Sequence, residues 1–142
     1  MIKEYSIHTA VLGSISFLIA YILNKYSPNI IEKTLGNNTI PILIGILAIN
    51  IQVIAVISNR LNALMDKYKK DFKTTFIEIK KSIYEQCVLI LLTFFGYFLA
   101  SLENKIDSLL IETIFLFSII SSIKIFIDTT LAMLECLLLY PD

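Results

Sequence analysis

Four long apolar stretches, separated by polar segments, dominate the hydropathy pattern of the chain. They cover about residues 8–24, 40–58, 87–101 and 109–131. The second contains no charged side chain, and a helix of that length extends ~28 Å, close to the hydrocarbon thickness of a bilayer. The stretches lack the alternation of a barrel strand, so helices must satisfy their backbone polar groups in lipid. The pattern predicts an all-α integral membrane four-helix bundle.

Polar and helix-breaking residues predict where the helices begin and end. Ser27 is expected to end helix one, and residues 28–35 to form a short segment that Gly36 closes. Residues 37–39 predict a turn, and helix two is expected to begin at residues 40–41, where a first-turn proline costs little. A second polar turn, at 103–107, predicts that helices three and four are adjacent and antiparallel.

Residues 59–85, between spans two and three, form a polar amphipathic segment. Thr75 and Glu78 match a capping box, which predicts that helix three starts at Thr75 after a reversal at about 71–74. Helices two and three would then form a cytoplasmic hairpin projecting ~15–18 Å. Alternatively, the segment lies on the inner leaflet with its lysines on anionic headgroups. The hairpin is favoured because its apolar stripe continues in phase with helix two: Leu61, Met65, Tyr68, Phe72, Phe76, Ile79 and Ile83.

The distribution of basic residues predicts the orientation in the membrane. With both termini inside the cell, the cytoplasmic side carries Lys3, Arg60, Lys67, Lys69, Lys70, Lys73, Lys80 and Lys81. The opposite side then carries Lys25, Lys33 and Lys105. This asymmetry satisfies the positive-inside rule. We therefore predict a multi-pass protein of the inner (plasma) membrane, and we assign Lys67, Lys69, Lys70, Lys73, Lys80 and Lys81 to docking of a partner or of lipid headgroups.

Composition narrows the function classes. The 142 residues are 56% hydrophobic with a mean hydropathy of +0.76, and a four-helix membrane domain uses most of that length. A net charge of zero gives no indication of direct nucleic-acid binding. Cys87 and Cys136 lack metal-ligand spacing, and His8 is the only histidine. We therefore expect one non-enzymatic domain, 1–142, without a metal or another cofactor.

Small residues recur along the predicted helices at spacings of three and four. Small side chains let membrane helices approach closely, because lipid supplies no hydrophobic drive for their packing. Packing within the bundle explains most of them, but a bundle this small has a thin core, so a homo-oligomer is also expected. The predicted helix-packing residues are Gly13, Ser16, Ala20, Gly45, Ala48, Ala55, Gly96 and Ala100.

Polar residues within the apolar stretches are functional candidates, because polar and charged groups are costly in the membrane. The predicted intramembrane polar set is Asn50, Gln52, Ser121, Lys124 and Asp128. The last two are four residues apart and can form an ion pair. That pair has two interpretations: it fixes helix depth at the inner interface, or it belongs to a conduction or proton-relay path. Glu112 is predicted to be interfacial.

Two families of small four-span proteins differ from this sequence. Small multidrug transporters carry a central glutamate in helix one, where this chain has no acidic residue between Ile7 and Lys25. Four-helix membrane enzymes of glutathione and eicosanoid metabolism carry Arg-Asn-Glu signatures, of which only Asn59-Arg60 has a counterpart here.

The span count, the chain size and the cytoplasmic extension of helix two resemble small membrane subunits of bacterial antiphage systems, such as the four-span subunit of the Kiwa system. The resemblance implies a homo-oligomer that senses or perturbs the membrane and works with a soluble cytoplasmic partner. We therefore predict a membrane sensor or membrane-perturbing effector. The alternatives are an ion channel or transporter with an intramembrane polar path, and a passive anchor for a soluble protein.

Overall fold

A computed structural model describes residues 2–27, 30–69, 72–101 and 108–139. These residues form four helices: α1 (Ile2–Tyr26), α2 (Ile30–Tyr68), α3 (Lys73–Ser101) and α4 (Ser108–Leu139). Each predicted apolar stretch lies within one of them, and all four are long and apolar enough to cross a membrane. The all-α, four-helix prediction is confirmed. The predicted polar turn at 103–107 lies outside the described residues.

Helix α4 is the centre of the arrangement, since it packs against all three other helices. Helices α2 and α4 form the most extensive contact, and α1 and α3 lie on opposite sides of that pair without contacting each other in the described part of the chain. The hydrogen bond of Asn50 with Gln86 sets the register of α2 against α3, and the short connection between Tyr68 and Lys73 makes the two helices antiparallel. The bundle is therefore flattened.

The distribution of side chains is inverted relative to a soluble bundle. Large apolar residues such as Leu18, Leu91 and Phe98 lie on the outer surface. Fully buried positions include polar residues such as Thr39, Asn50 and Ser122. An apolar exterior and a polar interior are both unfavourable for a protein in water, whereas lipid accommodates an apolar exterior. The distribution is consistent with a membrane protein.

Helix α2 differs from the prediction at its N-terminal end. The expected short segment at 28–35 and turn at 37–39 are wrong, because α2 is one helix from Ile30 to Tyr68 and Pro41 lies inside it. The Thr34 and Thr39 hydroxyls donate to carbonyls four residues earlier. Ile31 is also buried. Tertiary packing therefore keeps helical a stretch that proline would otherwise disfavour.

The connection between α2 and α3 lies close to its predicted place. Helix α2 ends at Tyr68, and Lys69 has a left-handed φ of 52°, the conformation that commonly terminates a helix. Because α3 begins at Lys73, Thr75 is already in its first turn, and its predicted role as the helix cap is wrong. The segment 59–85 is accordingly helical on both sides of the connection. Residues 70 and 71 lie outside the described chain.

Candidate functional site: a buried polar junction

Three helices meet at a cluster of polar side chains, which we call the polar junction: Asn50 of α2, Ser82 and Gln86 of α3, and Thr129 of α4. The Asn50 Nδ2 amide donates to Gln86 Oε1 at 3.0 Å and to Ser82 Oγ at 3.3 Å. Ser82 Oγ and Thr129 Oγ1 lie 3.1 Å apart. The junction therefore links α2, α3 and α4 directly.

The hydrogen bonds of the junction have a direction. Thr129 Oγ1 donates to the Ile125 carbonyl at 2.8 Å, and a threonine hydroxyl has a single proton. Ser82 must therefore donate to Thr129 while it accepts from Asn50. The result is a chain of donors that runs from α2 through α3 to the backbone of α4.

Two atoms of the junction have no hydrogen-bond partner in the structure. Asn50 and Gln86 are at most 1% exposed, yet Asn50 Oδ1 and Gln86 Nε2 are unsatisfied. A buried unsatisfied polar atom costs about 1–3 kcal/mol. One acceptor and one donor are thus held at the junction at an energetic cost.

Helical periodicity explains why Asn50 faces inward. The buried positions of α2 that follow it are Ile54, Ile57, Leu61 and Leu64, at the spacings of three and four that define one helix face. Asn50 occupies the same face at the point where apolar residues would continue it. Gln86 stands likewise on the inward face of α3, followed by Leu89, Thr93 and Gly96.

Charged pairs surround the junction at the same level but on the outside of the bundle. Lys81 Nζ lies 3.7 Å from Glu85 Oε1, next to Ser82 and Gln86 on α3. Lys124 and Asp128 form the ion pair expected from their spacing, one residue before Thr129 on α4, and both side chains are more than 40% exposed. The junction is therefore polar inside and charged outside.

A column of buried polar residues continues along the inward face of α4 away from the junction. Ser118, Ser121 and Ser122 are each at most 6% exposed, and the hydroxyl oxygens of Ser118 and Ser121 have no hydrogen-bond partner in the structure. Glu112 is completely buried among the helices, because α4 is the central helix and even its first turns are covered by neighbours. Its predicted depth at the membrane interface stays a prediction.

The structure separates the predicted intramembrane polar residues. Asn50 and Ser121 are buried in the bundle, while Gln52 is exposed on α2. Lys124 and Asp128 face outward. A single polar path through all five residues is therefore not formed within one copy of the chain.

Sequence reasoning missed Ser82, Gln86 and Thr129. Ser82 falls in the segment interpreted as a cytoplasmic hairpin, Gln86 directly follows that segment, and Thr129 lies close to the end of an apolar run. A signal for the α3 residues existed: positions 82, 86, 93 and 96 carry polar or small side chains and fall on one face of α3, which Leu89 shares.

The predicted packing residues fall into two groups. Ser16, Ala20 and Gly96 are buried inside the bundle, and Ala100 is half-buried. A Cβ atom added to Gly96 would lie 3.0 Å from Phe115 Cε1, whereas one added to Gly13 or Gly45 would meet nothing within 4 Å. Gly45, Ala48 and Ala55 are exposed on α2. Small residues thus allow close packing on α1 and α3 but line an open surface on α2.

The predicted docking lysines lie on the outer surface of the segment 59–85. Those exposed are Lys67, Lys69, Lys73, Lys80 and Lys81. Lys70 lies outside the described residues.

The described residues contain no group of three His, Cys, Asp or Glu side chains that could hold a metal ion. His8 and Cys87 are both exposed. No family model matches the chain, and no curated protein and no solved structure is similar to it.

Proposed function

We propose that the protein is a small non-enzymatic membrane protein that acts as a homo-oligomeric sensor or membrane-perturbing effector and works with a soluble cytoplasmic partner. Segment 59–85 is the cytoplasmic hairpin that receives the partner. The polar junction transmits its position to the membrane bundle. A setting in antiphage defence belongs to the same proposal and rests on the resemblance in layout.

The observation that carries this proposal is the position of the junction at the base of the hairpin. Ser82 lies in the segment 59–85 on α3, and its hydrogen bonds with Asn50 and Thr129 join this arm of the hairpin to α2 and α4. Directional bonds respond to small rotations more sharply than apolar contacts do. A displacement of the hairpin therefore changes the packing of α4, the helix on which all the others depend.

The length of α4 supports a membrane boundary at the level of the junction. From Ser108 to Asp128 on α4, twenty residues rise ~30 Å, the hydrocarbon thickness of a bilayer. The outward pairs Lys81–Glu85 and Lys124–Asp128 would then lie at the headgroups. With the basic hairpin beyond this boundary, the positive-inside rule favours cytoplasmic termini in the inner membrane.

Hydrogen exchange in nanodiscs tests the coupling. Leu64, on the hairpin, is 4% exposed, so Leu64→Ala should loosen the hairpin. We expect faster amide exchange near Thr129 on α4 in this variant. The same substitution should leave α4 exchange unchanged in a Ser82→Ala background, where the hydrogen bonds of Ser82 with Asn50 and Thr129 are absent. Faster exchange confined to the hairpin itself would rule out transmission through the junction.

Leakage from liposomes, measured together with the mass of the solubilised particle, separates the function classes. An oligomer that leaks supports an effector or a channel. A tight oligomer supports a sensor that awaits its partner. A tight monomer would overturn the homo-oligomer and leave the passive anchor.

Charge reversal on the hairpin tests partner docking. Once a soluble partner has been identified, Lys67→Glu/Lys69→Glu/Lys70→Glu/Lys73→Glu should abolish its recruitment to membranes that contain the protein. Recruitment equal to that of the wild type would exclude docking through the hairpin lysines.

An ion channel or transporter is the second candidate, and the buried polar column on α4 favours it. Ser118, Ser121 and the junction occupy one inward face between the two ends of the bundle. Unpaired hydroxyl and amide atoms along that face offer ligands to a permeating ion. The path would run through the interior and not along Gln52 and Lys124.

Flux measurements distinguish this path from the one predicted from sequence. In liposomes, Ser118→Val/Ser121→Val should reduce ion flux if the interior conducts, while Gln52→Leu and Lys124→Met should preserve it. The reverse pattern would locate conduction on the outer face of the bundle. Equal flux in all variants would remove the channel from consideration.

A further inference from the structure

The outward face of α2 carries a line of small and polar residues that the other helices leave exposed. We call it the α2 face: Gly45, Ala48, Gln52, Ala55 and Asn59, all of them exposed. At 100° per residue it lies opposite Asn50 and the buried positions of the helix. Larger exposed side chains flank it on both sides: Ile42, Ile44, Ile49, Ile51 and Val56. The face is thus a shallow groove between two apolar ridges.

Gln52 presents the first problem for a single copy of the chain. It lies within the uncharged run of residues 40–58. It is exposed, and no hydrogen bond from its side chain is found in the described structure. If the hydrocarbon core covers that whole run, an amide with four hydrogen-bonding positions faces lipid, which cannot satisfy any of them. Membrane proteins direct such side chains to a partner.

The register of α2 against α3 presents the opposite problem. Because Asn50 contacts Ser82 and Gln86, residues 51–58 of α2 lie beside about residues 78–85 of α3, where Lys80 and Lys81 are exposed. If the membrane boundary follows those charges, about two turns of apolar α2 surface extend beyond it. Ile51 and Val56, both nearly half exposed, would then face water or headgroups.

Either position of the boundary leaves part of the α2 face or of its flanking ridges in an unfavourable environment, and contact with the same surface of a second copy removes the cost in each case. We propose that two copies of this protein associate through their α2 faces. This inference rests on the homo-oligomer of the proposed function and names its contact. Small residues permit close approach of the two helices, and the isoleucine ridge of each copy packs beside the groove of the other.

Symmetry determines which residues meet. Copies inserted in the same direction are related by a twofold axis along the membrane normal, so each residue near the axis faces its own counterpart. Gln52 then hydrogen-bonds Gln52 of the second copy, since a primary amide is both donor and acceptor. Ala48 and Ala55, one turn to either side, bring the two backbones together.

Cysteine cross-linking in native membranes tests this contact. In a Cys87→Ala/Cys136→Ala background, Ala48→Cys and Ala55→Cys should form disulfide-linked dimers with a mild oxidant. Matched cysteines on other exposed apolar positions, Leu18→Cys on α1 and Phe94→Cys on α3, should remain monomeric. Cross-linking through Leu18→Cys or Phe94→Cys but not through the α2 positions would overturn the assignment.

Association between fluorescently labelled copies in nanodiscs or liposomes measures the contribution of Gln52. An interhelical hydrogen bond of a polar side chain strengthens the association of membrane helices by about 1–2 kcal/mol in model peptides, or about 5- to 30-fold. Gln52→Leu should therefore raise the dissociation constant by that factor, and Gln52→Asn should restore most of it. Ala48→Leu, which fills the groove, should weaken association further, whereas Gly13→Leu on α1 serves as the control for added bulk.

The outcomes separate this inference from the broader proposal. A wild-type monomer at all protein-to-lipid ratios overturns both the homo-oligomer and the α2 contact. An oligomer that Ala48→Leu and Gln52→Leu leave intact preserves the proposed function but overturns the α2 face as its interface. Dimers lost in both variants and retained in Gly13→Leu support the contact as described.

Discussion

Different kinds of interaction stabilise the two ends of the described bundle. At the end where α1 meets α2 and α3 meets α4, an apolar cluster of Ala20, Ile31, Ile111 and Phe115 closes against the aromatic ring of Tyr97. At the other end of the membrane bundle, three helices are joined through the amides and hydroxyls of the polar junction. Apolar contact area stabilises the first end, and directional hydrogen bonds stabilise the second.

The difference indicates which end of the bundle has a fixed helix packing and which end can rearrange. Apolar packing without space for an extra carbon, as at Gly96, allows one arrangement only. Hydrogen bonds can be exchanged for others when helices rotate, and two unsatisfied atoms at the junction are available for such an exchange. We therefore expect the apolar end to define the fold and the junction to respond to the hairpin.

The largest effect is expected from Phe115→Ala at the apolar end. Phe115 is 1% exposed, and removing a buried phenyl ring costs about 3–5 kcal/mol. Unfolding in detergent mixtures with increasing SDS, followed by circular dichroism, measures the loss. Phe94→Ala, at a position 52% exposed on α3, is the matched control and should cost far less. Equal losses would show that the apolar cluster does not dominate stability.

Gly96→Ala tests the close packing of α3 against α4 at the apolar end by adding one carbon. Its new Cβ would lie 3.0 Å from Phe115 Cε1 and 3.1 Å from Ile114 Cγ2, and overpacking of this kind costs about 1–3 kcal/mol. The same unfolding assay should show no loss for Gly13→Ala, where the space is open. If both alanines are tolerated equally, α3 and α4 are less closely packed than described.

Asn50→Leu tests the contribution of the polar junction to stability. It removes the donor of two hydrogen bonds, and membrane hydrogen bonds between helices contribute about 0.6 kcal/mol on average and up to about 1.7. A double-mutant cycle with Gln86→Leu should show coupling, because the double variant leaves fewer unpaired groups than the sum of the single changes implies. Additive losses would mean that the two amides act independently.

The smallest effect is expected from Lys124→Met on the outside of the junction. The Lys124–Asp128 pair is more than 40% exposed on both sides, and exposed helical pairs of this spacing contribute about 0.3–0.5 kcal/mol. Its unfolding free energy in detergent should therefore stay close to that of the wild type. A loss of unfolding free energy as large as that of Asn50→Leu would show that the outward pair contributes as much to stability as the hydrogen bonds of the polar junction.

Much of the fold was predictable because it follows from local apolar runs. The spans at 8–24, 87–101 and 109–131 each lie within one helix of the structure. The start of α2 was not predictable in this way: Gly36, residues 37–39 and Pro41 all favour a break, and only burial against the rest of the bundle outweighs them.

The candidate site was harder to predict from the sequence than the fold was. Asn50 was identified as an intramembrane polar residue, but its partners Ser82 and Gln86 lie 32 and 36 residues away. Nothing local specifies which helices become neighbours, so the central position of α4 could not be foreseen. Glu112 and the outward Lys124–Asp128 pair were interpreted without knowledge of which face of α4 is covered.

The central position of α4 bears on how the protein is made. Helix α1 leaves the ribosome first, yet its main packing partner, α4, is the last of the four helices to be synthesised. Until then α1 has only a small contact with α2 and none with α3 in the described chain. The inserted intermediate therefore holds an early helix largely without its neighbour, and assembly of the bundle is completed only when α4 enters the membrane.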